Sequence, residues 1–294
     1  MKKLLMMLMA LPMLMMSCND EMALSEETVE VCFEAEIPAL IGTRASDGLA
    51  VNKLVCAVFE KNGPEIKGHR ETINVTSASG ITYSPRLVKG RTYKVVFWAM
   101  RDDKYNVTDM TRITRSGSAN EAEYDAFTAT VETNVDNSTS VRVTLIRPLA
   151  QLNMGVTPED WDGVASELTF NMIPSNITIS LTGKDTFNAL TGLATGEDKS
   201  ISYNLPVSGS EFTVDEKIYK NIAMCYVLPD AQKENFDITY SIYDQNSKAI
   251  RSDVEINAVP LQANYKTNVV GGLLTGTVTY NVSIQQDFST DEDN

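Results

Sequence analysis

Side chains that could carry out chemistry are few in this chain of 294 residues, which has one histidine and four cysteines. The histidine, His69, lies in the polar stretch 67–70, which is typical of a turn. A Ser-His-Asp or Cys-His catalytic group would have to include it. Zinc sites need clustered Cys and His ligands, and the sequence has no such cluster. We therefore predict no enzymatic activity, no metal and no cofactor.

Acidic and tryptophan residues are the next candidates for binding groups. The acids at 102–103 and 291–293 lack the regular spacing and the glycine of a calcium loop. Trp98 and Trp161 could stack on sugars, but Trp98 lies in an apolar stretch, which predicts a position in the core. A glycan-binding protein needs exposed aromatic platforms, so it is kept as the alternative function.

The charge balance excludes some partners. The chain has 39 acidic and 25 basic residues, for a formal net charge of −14. Nucleic acids and anionic lipid headgroups both attract basic surfaces, so neither is an expected electrostatic partner. With 43% hydrophobic residues, the chain can bury a core. Its length predicts one large or two medium domains.

The N-terminus predicts a secreted lipoprotein. Lys2 and Lys3 precede an apolar run over 4–16, which is too short to span a bilayer and is typical of a signal peptide. The run ends at Ser17-Cys18, where a small residue and a cysteine resemble a bacterial lipobox. We predict a signal peptide over 1–17 and lipidation of Cys18; an ordinary signal peptide is the alternative. Residues 18–27 are predicted to form an acidic tether, and Asn19-Asp20-Glu21 resembles the signal that directs lipoproteins to the outward face of the outer membrane.

Three cysteines remain after Cys18. Cys56 and Cys225 lie in apolar stretches that predict small buried side chains within strands. An oxidising envelope would permit one disulfide, so a bridge between Cys32 and Cys56 stays open.

Alternation of apolar and polar residues predicts an all-β chain. The first strand alternates over 29–37, and the last alternates over 278–284. Further strands are predicted at 54–59, 93–100, 140–146, 168–172, 177–181, 201–205, 222–228, 236–243 and 254–259. Short helices are predicted where Thr157-Pro158 provides a cap and at 185–190 before Gly192. Many short strands between turn residues favour β-sandwiches.

A domain boundary is predicted at Arg147-Pro148, because proline cannot donate to a sheet and suits a crossover. The two predicted sandwiches then span 28–148 and 149–294, the second ending in an acidic tail.

Five short strings resemble the fimbrillin-like outer-membrane lipoproteins of Bacteroidota, the superfamily of type V pilins and their anchors. The closest resemblance is to a subgroup of uncharacterised lipoproteins. The strings are Thr43-Arg44-Ala45, Val96-Phe97-Trp98-Ala99, Asp125-Ala126-Phe127, Arg147-Pro148-Leu149-Ala150-Gln151-Leu152-Asn153 and Asn264-Tyr265-Lys266-Thr267-Asn268. The resemblance implies two tandem transthyretin-like β-sandwich domains with few helices.

The resemblance also implies a mechanism, assembly with other pilus subunits by β-strand exchange. A trypsin-like protease would cut after Arg44, the first strand would leave, and a neighbour's C-terminal strand would fill the groove. The displaced strand would carry Val29, Val31, Phe33, Ala35 and Ile37, and the donor strand Val278, Tyr280, Val282 and Ile284. An anchor subunit would stay uncut. The sequence leaves open whether the chain is a stalk, tip or anchor subunit, and whether it binds a host ligand.

Overall fold

The computed structural model describes residues 26–37, 51–77, 79–117, 122–166, 171–230 and 232–285. In these residues strands alternate with turns, and α1 (Pro158–Ala165) is the only α-helix. The prediction of an all-β fold with few short helices is therefore confirmed. Helix α1 begins where predicted, because the Thr157 side chain accepts a hydrogen bond of 3.2 Å from the Asp160 N–H and Pro158 occupies the first turn.

The first half of the chain packs two sheets face to face. One has the order β10-β1-β4, with β5 also paired to β1, and the other has the order β3-β2-β6-β9. Alternate side chains of both sheets point inward and share one core, which includes Phe33, Phe97 and Leu54. The strands are β1 (Thr28–Glu36), β2 (Lys53–Glu60), β3 (Glu71–Asn74), β4 (Ile81–Tyr83), β5 (Arg86–Val88), β6 (Thr92–Met100), β7 (Tyr105–Asn106), β8 (Ile113–Arg115), β9 (Ala126–Asn134) and β10 (Thr139–Thr144).

The second half forms another sandwich, with sheets of order β16-β17-β11-β20-β21 and β15-β12-β18-β19. Its core includes Ile179, Tyr240 and Val269, and it is separate from the first core. The strands are β11 (Ala150–Val156), β12 (Pro174–Gly183), β13 (Thr186–Asn188), β14 (Leu193–Thr195), β15 (Lys199–Pro206), β16 (Glu211–Val214), β17 (Lys217–Val227), β18 (Glu234–Asp244), β19 (Ala249–Leu261), β20 (Lys266–Gly272) and β21 (Thr279–Gln285).

A small third sheet joins the two halves in the order β14-β13-β8-β7. Strand β13 of the second half pairs with β8 of the first, with Phe187 opposite Ile113. The prediction of a short helix over 185–190 is therefore wrong. The Asn188 side chain accepts the Leu190 N–H at 3.0 Å, and Gly192 has a φ of +74°, so the segment turns tightly into β14. Gly192 ends a turn, and no helix precedes it.

The strand predicted at 168–172 lies mostly outside the described residues. Asn171 and Met172, which are described, belong to no strand. The other predicted strands all correspond to strands of the structure, to within a few residues at their ends. In the part of the chain that the structure describes, no helix has the length and apolar character to cross a membrane.

Candidate functional site

Strand β1 lies in the middle of its sheet and is hydrogen-bonded on both edges. Along one edge it runs parallel to β10, with Phe33 opposite Val141. Along the other it pairs antiparallel with β5 and then with β4, where Phe33 lies opposite Tyr83. Removal of β1 would leave the inner edges of β10, β4 and β5 without partners.

The apolar face of β1 fills the first core. Val31, Phe33 and Ile37 are fully buried, and Ala35 is 1% exposed, whereas Val29 is partly buried at the start of the strand. The Phe33 ring lies 5.7 Å from that of Phe97 on the opposite sheet. The groove that β1 occupies therefore has a deep apolar floor and two hydrogen-bonding walls. We call this space the β1 groove.

Ion pairs hold the chain just before β1. Lys89 pairs with Glu27 at 3.1 Å, and Arg91 pairs with Glu26. All four side chains are exposed, so these pairs contribute little to stability. The predicted lipidation residue Cys18 and the predicted processing residue Arg44 both lie outside the described residues.

The predicted donor strand is β21, an edge strand of the second sandwich. It pairs antiparallel with β20, with Lys266 opposite Gln285 at one end and Gly272 opposite Thr279 at the other. Val278 and Val282 pack against the second core, Ile284 is partly buried and Tyr280 is 38% exposed. The hairpin requires Gly271, where an added Cβ would lie 2.2 Å from the Thr279 carbonyl oxygen. The other edge of β21 has no partner strand among the described residues.

A set of three polar side chains fixes the turn between β20 and β21; we call it the hairpin clamp. Asp160 of α1 accepts the N–H groups of Leu273 and Leu274 at 2.7 Å each. It also accepts the N–H of Thr275 at 2.8 Å and its hydroxyl at 2.5 Å. Arg251 and Tyr240 are the other members.

These two side chains bind the carbonyl groups of the same turn. Arg251 donates to the Leu274 oxygen at 2.9 Å and to that of Gly276, and the Tyr240 hydroxyl donates to the Leu273 oxygen at 2.8 Å. The clamp therefore satisfies both donors and acceptors of one turn. No local sequence pattern predicts this arrangement, because Asp160 and the turn lie more than one hundred residues apart.

A buried ion pair lies where the first half ends. Arg147 donates from Nε and Nη2 to the two carboxylate oxygens of Asp125 at 2.5 Å each, and both residues are fully buried. The guanidinium also lies over the Phe127 ring, 4.7 Å from its centroid. Burial disfavours the guanidinium charge, but Asp125 outweighs this effect and raises the pKa of Arg147 above its ordinary value.

The same region joins the two halves through a third apolar cluster, which we call the junction core. It contains Trp98, Met110 and Ala126 from the first half with Phe187 and Tyr226 from the second. Hydrogen bonds cross it as well, from the Thr130 hydroxyl to the Ala189 oxygen at 2.5 Å and from Arg115 to the Tyr226 oxygen at 2.8 Å. Trp98 is 1% exposed, so its predicted core position is correct, although the core lies between the halves.

Three of the five resemblance strings meet at this junction, those that contain Trp98, Asp125 and Arg147. The C-terminal end of the 147–153 string also meets the 264–268 string, because the Asn153 side chain donates to that of Asn268 at 2.8 Å. The string around Arg44 lies outside the described residues.

His69 lies beside a turn, and the three described cysteines lie in strands. His69 follows a turn in which Gly68 has a φ of +85°, and its carbonyl oxygen accepts the Tyr83 hydroxyl. In the described residues, no group of three or more His, Cys, Asp or Glu side chains could hold a metal. Cys32 and Cys56 are both free; Cys56 lies in the first core and Cys32 on the opposite face of β1. The two cysteines therefore form no disulfide in this structure.

The three described cysteines should differ in their reactivity with iodoacetamide. Burial raises the pKa of Cys225 to about 12, and burial together with Glu71 raises that of Cys56. At pH 8 the Cys225 thiol would therefore stay protonated, whereas the thiolate is the nucleophile. We expect mass spectrometry of the folded chain to show alkylation at Cys32 alone, and at all three in 8 M urea. Rapid labelling of Cys225 in the folded chain would contradict its burial.

Comparison with known proteins places the chain in a family. Residues 23–294 match the family of unknown function DUF6562. The chain belongs to this family. A search of curated proteins finds no match for this DUF6562 chain.

Solved structures share the fold. The tip fimbrial protein Mfa3 from Porphyromonas gingivalis, solved with a C-terminal truncation, is 10% identical at a TM-score of 0.51, over 88% of this chain and 99% of that one. A candidate adhesin from Bacteroides ovatus is 12% identical in sequence and has a TM-score of 0.51. The match covers 84% of this chain and 90% of the adhesin. A candidate cell adhesion protein from Bacteroides uniformis is 14% identical in sequence and has a TM-score of 0.50. The match covers 87% of this chain and 98% of that protein. The predicted fold class, tandem β-sandwiches, is thereby confirmed for this DUF6562 member.

Proposed function

We propose that this DUF6562 protein is a cell-surface lipoprotein without enzymatic activity that acts as a fimbrial subunit or anchor and joins other pilus subunits by β-strand exchange. The observation that carries the proposal is the position of β1. It is a single segment near the N-terminus, yet it occupies the centre of a sheet and fills the first core. A strand in that position can be replaced by another of the same apolar period.

The energetics of the β1 groove favour reoccupation once it is emptied. Val31, Phe33 and Ile37 would each lose burial worth about 1.5–3 kcal/mol, and Ala35 would lose less. The edges of β10, β4 and β5 would also be open to any extended segment. An empty β1 groove is therefore a strong acceptor for a strand from another subunit.

Further support comes from outside the groove. The fold is shared with the tip fimbrial protein Mfa3. The Ser17-Cys18 string fits a lipid anchor at the outer membrane, directed outward by the acids that follow. Arg44 follows β1 in the sequence, so one cut there would separate β1 from the rest of the chain. The preferred donor is the segment that carries Val278, Tyr280, Val282 and Ile284.

The alternative of a glycan-binding lipoprotein has less support. Trp98 is buried in the junction core, and Trp161 is partly buried against the second core. Neither indole provides the exposed platform on which a sugar ring stacks.

Limited trypsin digestion tests strand exchange. The chain from residue 18, made soluble by Cys18→Ser, should be cut after Arg44 before most other basic sites, because a protease needs exposed, extended backbone. We expect the cut chain to form oligomers in size-exclusion chromatography with light scattering. A synthetic peptide of residues 278–285 should compete and keep the chain monomeric.

Two controls make the digestion decisive. Arg44→Ala protein should stay monomeric under the same treatment, and a peptide with Val282→Asp and Ile284→Asp should not compete, since charged side chains cannot enter the apolar groove. Clean cutting and release of β1 without oligomers at high concentration would refute strand exchange through this groove. Resistance at Arg44 would instead assign the chain to an uncut anchor or to a lipoprotein outside the pilus.

A further inference from the structure

A cleft between the two halves has the features of a small-molecule site. It has a volume of about 190 Å³ and lies beside the small third sheet. We call it the junction cleft. Its walls are mostly aromatic and aliphatic, including Trp98, Tyr105, Phe187, Tyr203 and Leu228. Clefts between domains that combine apolar walls with a few polar groups are common ligand sites.

Two nitrogen donors of residues that line this cleft have no hydrogen-bond partner. They are Nε1 of Trp98 and Nη1 of Arg115, and both atoms are buried. Trp98 as a whole is 1% exposed. Buried donors are nearly always satisfied, so two unsatisfied donors on one cleft point to an acceptor that occupies it in solution.

Arg115 also lacks a counter-ion. Its guanidinium lies between the rings of Tyr124 and Tyr203, 5.1 Å and 5.0 Å from their centroids. No acidic side chain in the described ranges forms an ion pair with it. Burial raises the pKa of Tyr203 to about 12, so its hydroxyl stays neutral near pH 7. The positive charge of Arg115 is therefore available to an anion.

The other charges near the cleft are already balanced. Lys199 pairs with Asp185, and Lys184 pairs with Asp230 at 3.5 Å. These pairs lie among partly exposed groups, with the Ser200 and Ser202 side chains nearby on the cleft wall. The unbalanced positive charge of the cleft thus belongs to Arg115, deeper in the wall.

We propose that the junction cleft binds a small carboxylate whose body is flat and apolar. The carboxylate would accept hydrogen bonds from Trp98 Nε1 and Arg115 Nη1, since a guanidinium and an indole N–H are both donors to oxyanions. The flat body would lie against the aromatic walls. The proposal does not depend on strand exchange, because the cleft and the β1 groove share no residue.

The two tryptophans allow a direct test by NMR. A ¹⁵N-labelled chain from residue 18 with Cys18→Ser should give two indole N–H signals, which the Trp161→Phe variant assigns. Benzoate is the probe. We expect it to shift the Trp98 indole signal in a saturable way and to leave that of Trp161 in place. Benzyl alcohol, with the ring but no charge, and acetate, with the charge but no ring, should each bind at least about tenfold more weakly.

Substitution of Arg115 provides the second arm. Arg115→Met should weaken benzoate binding at least about tenfold, and Arg115→Lys should retain part of it because the charge remains. The Trp161 signal reports whether each variant is folded. Lys61→Gln, which removes an exposed charge at a residue that does not line the cleft, should bind benzoate as the parent chain does. Absence of a saturable Trp98 shift in the folded parent chain, or equal binding by folded Arg115→Met, would overturn the proposal and assign the cleft to water.

Discussion

Replacing Arg147 with methionine is expected to lower the free energy of unfolding by about 3–5 kcal/mol, because it leaves the Asp125 carboxylate buried without its partner. Both carboxylate oxygens now accept a guanidinium N–H, and the Ala126 N–H also binds one of them at 2.9 Å. Methionine fills part of the space but donates nothing. Urea unfolding followed by circular dichroism measures the loss.

Two companion variants show that the effect belongs to a buried pair. Lys61→Ala breaks the exposed pair of Lys61 with Glu132 and should leave the midpoint of unfolding nearly unchanged. The double variant Asp125→Leu with Arg147→Met should recover much of the lost stability, since it removes both buried charges together. An Arg147→Met protein within about 1 kcal/mol of the parent chain would contradict the assigned role of the pair.

The Asp125–Arg147 pair also fixes the end of the first half, where the chain passes into the second. After β10 the chain leaves the β1 sheet, and Ile146 exchanges two backbone hydrogen bonds with Thr128 of β9 in the opposite sheet. Arg147 then binds Asp125 at the start of β9, and Leu149 enters the junction core. Backbone bonds of Ile146 before Pro148 and burial of Leu149 after it thus hold the crossover in place.

Local patterns predicted most of the long strands, although β9, β11 and β20 were not among those predicted. β1 and β12 each alternate apolar and polar side chains, and each buries its apolar set as that period requires. The short strands β7, β8, β13 and β14 were not predicted, because each has only two or three residues and their common sheet depends on the non-local pairing of β13 with β8. Phe187 lies opposite Ile113, so neither segment reveals its partner by its own sequence.

The same difference between local patterns and distant contacts determines which features of the candidate site the sequence predicts. The burial of Val31, Phe33 and Ile37 follows from the period of β1 alone. Contacts between distant residues do not follow from any local pattern, and the bonds of Asp160 to Leu273 and Thr275 span more than one hundred residues. The resemblance strings marked the segments of Asp125 and Arg147 without indicating that the two side chains meet.

Loss of the hairpin clamp should free the last strand. Asp160→Ala leaves the N–H groups of Leu273, Leu274 and Thr275 without an acceptor. Because unsatisfied buried donors cost about 1–3 kcal/mol each and the turn can partly rearrange, we expect an overall loss of about 2–4 kcal/mol. Hydrogen exchange followed by mass spectrometry should show faster exchange over residues 273–285, with β6 unchanged.

Glu159→Ala is the matched control for this prediction, because Glu159 is an exposed acid one residue earlier in the same helical turn. It should leave exchange over 273–285 as in the parent chain. If β21 is the donor strand, Asp160→Ala protein should also oligomerise with trypsin-cut chains faster than Glu159→Ala protein does, since its β21 detaches more readily from β20. Faster hydrogen exchange over residues 273–285 without faster assembly would mean that the clamp stabilises the hairpin but that β21 is not the donor strand. Unchanged hydrogen exchange in Asp160→Ala protein would contradict the role of the clamp.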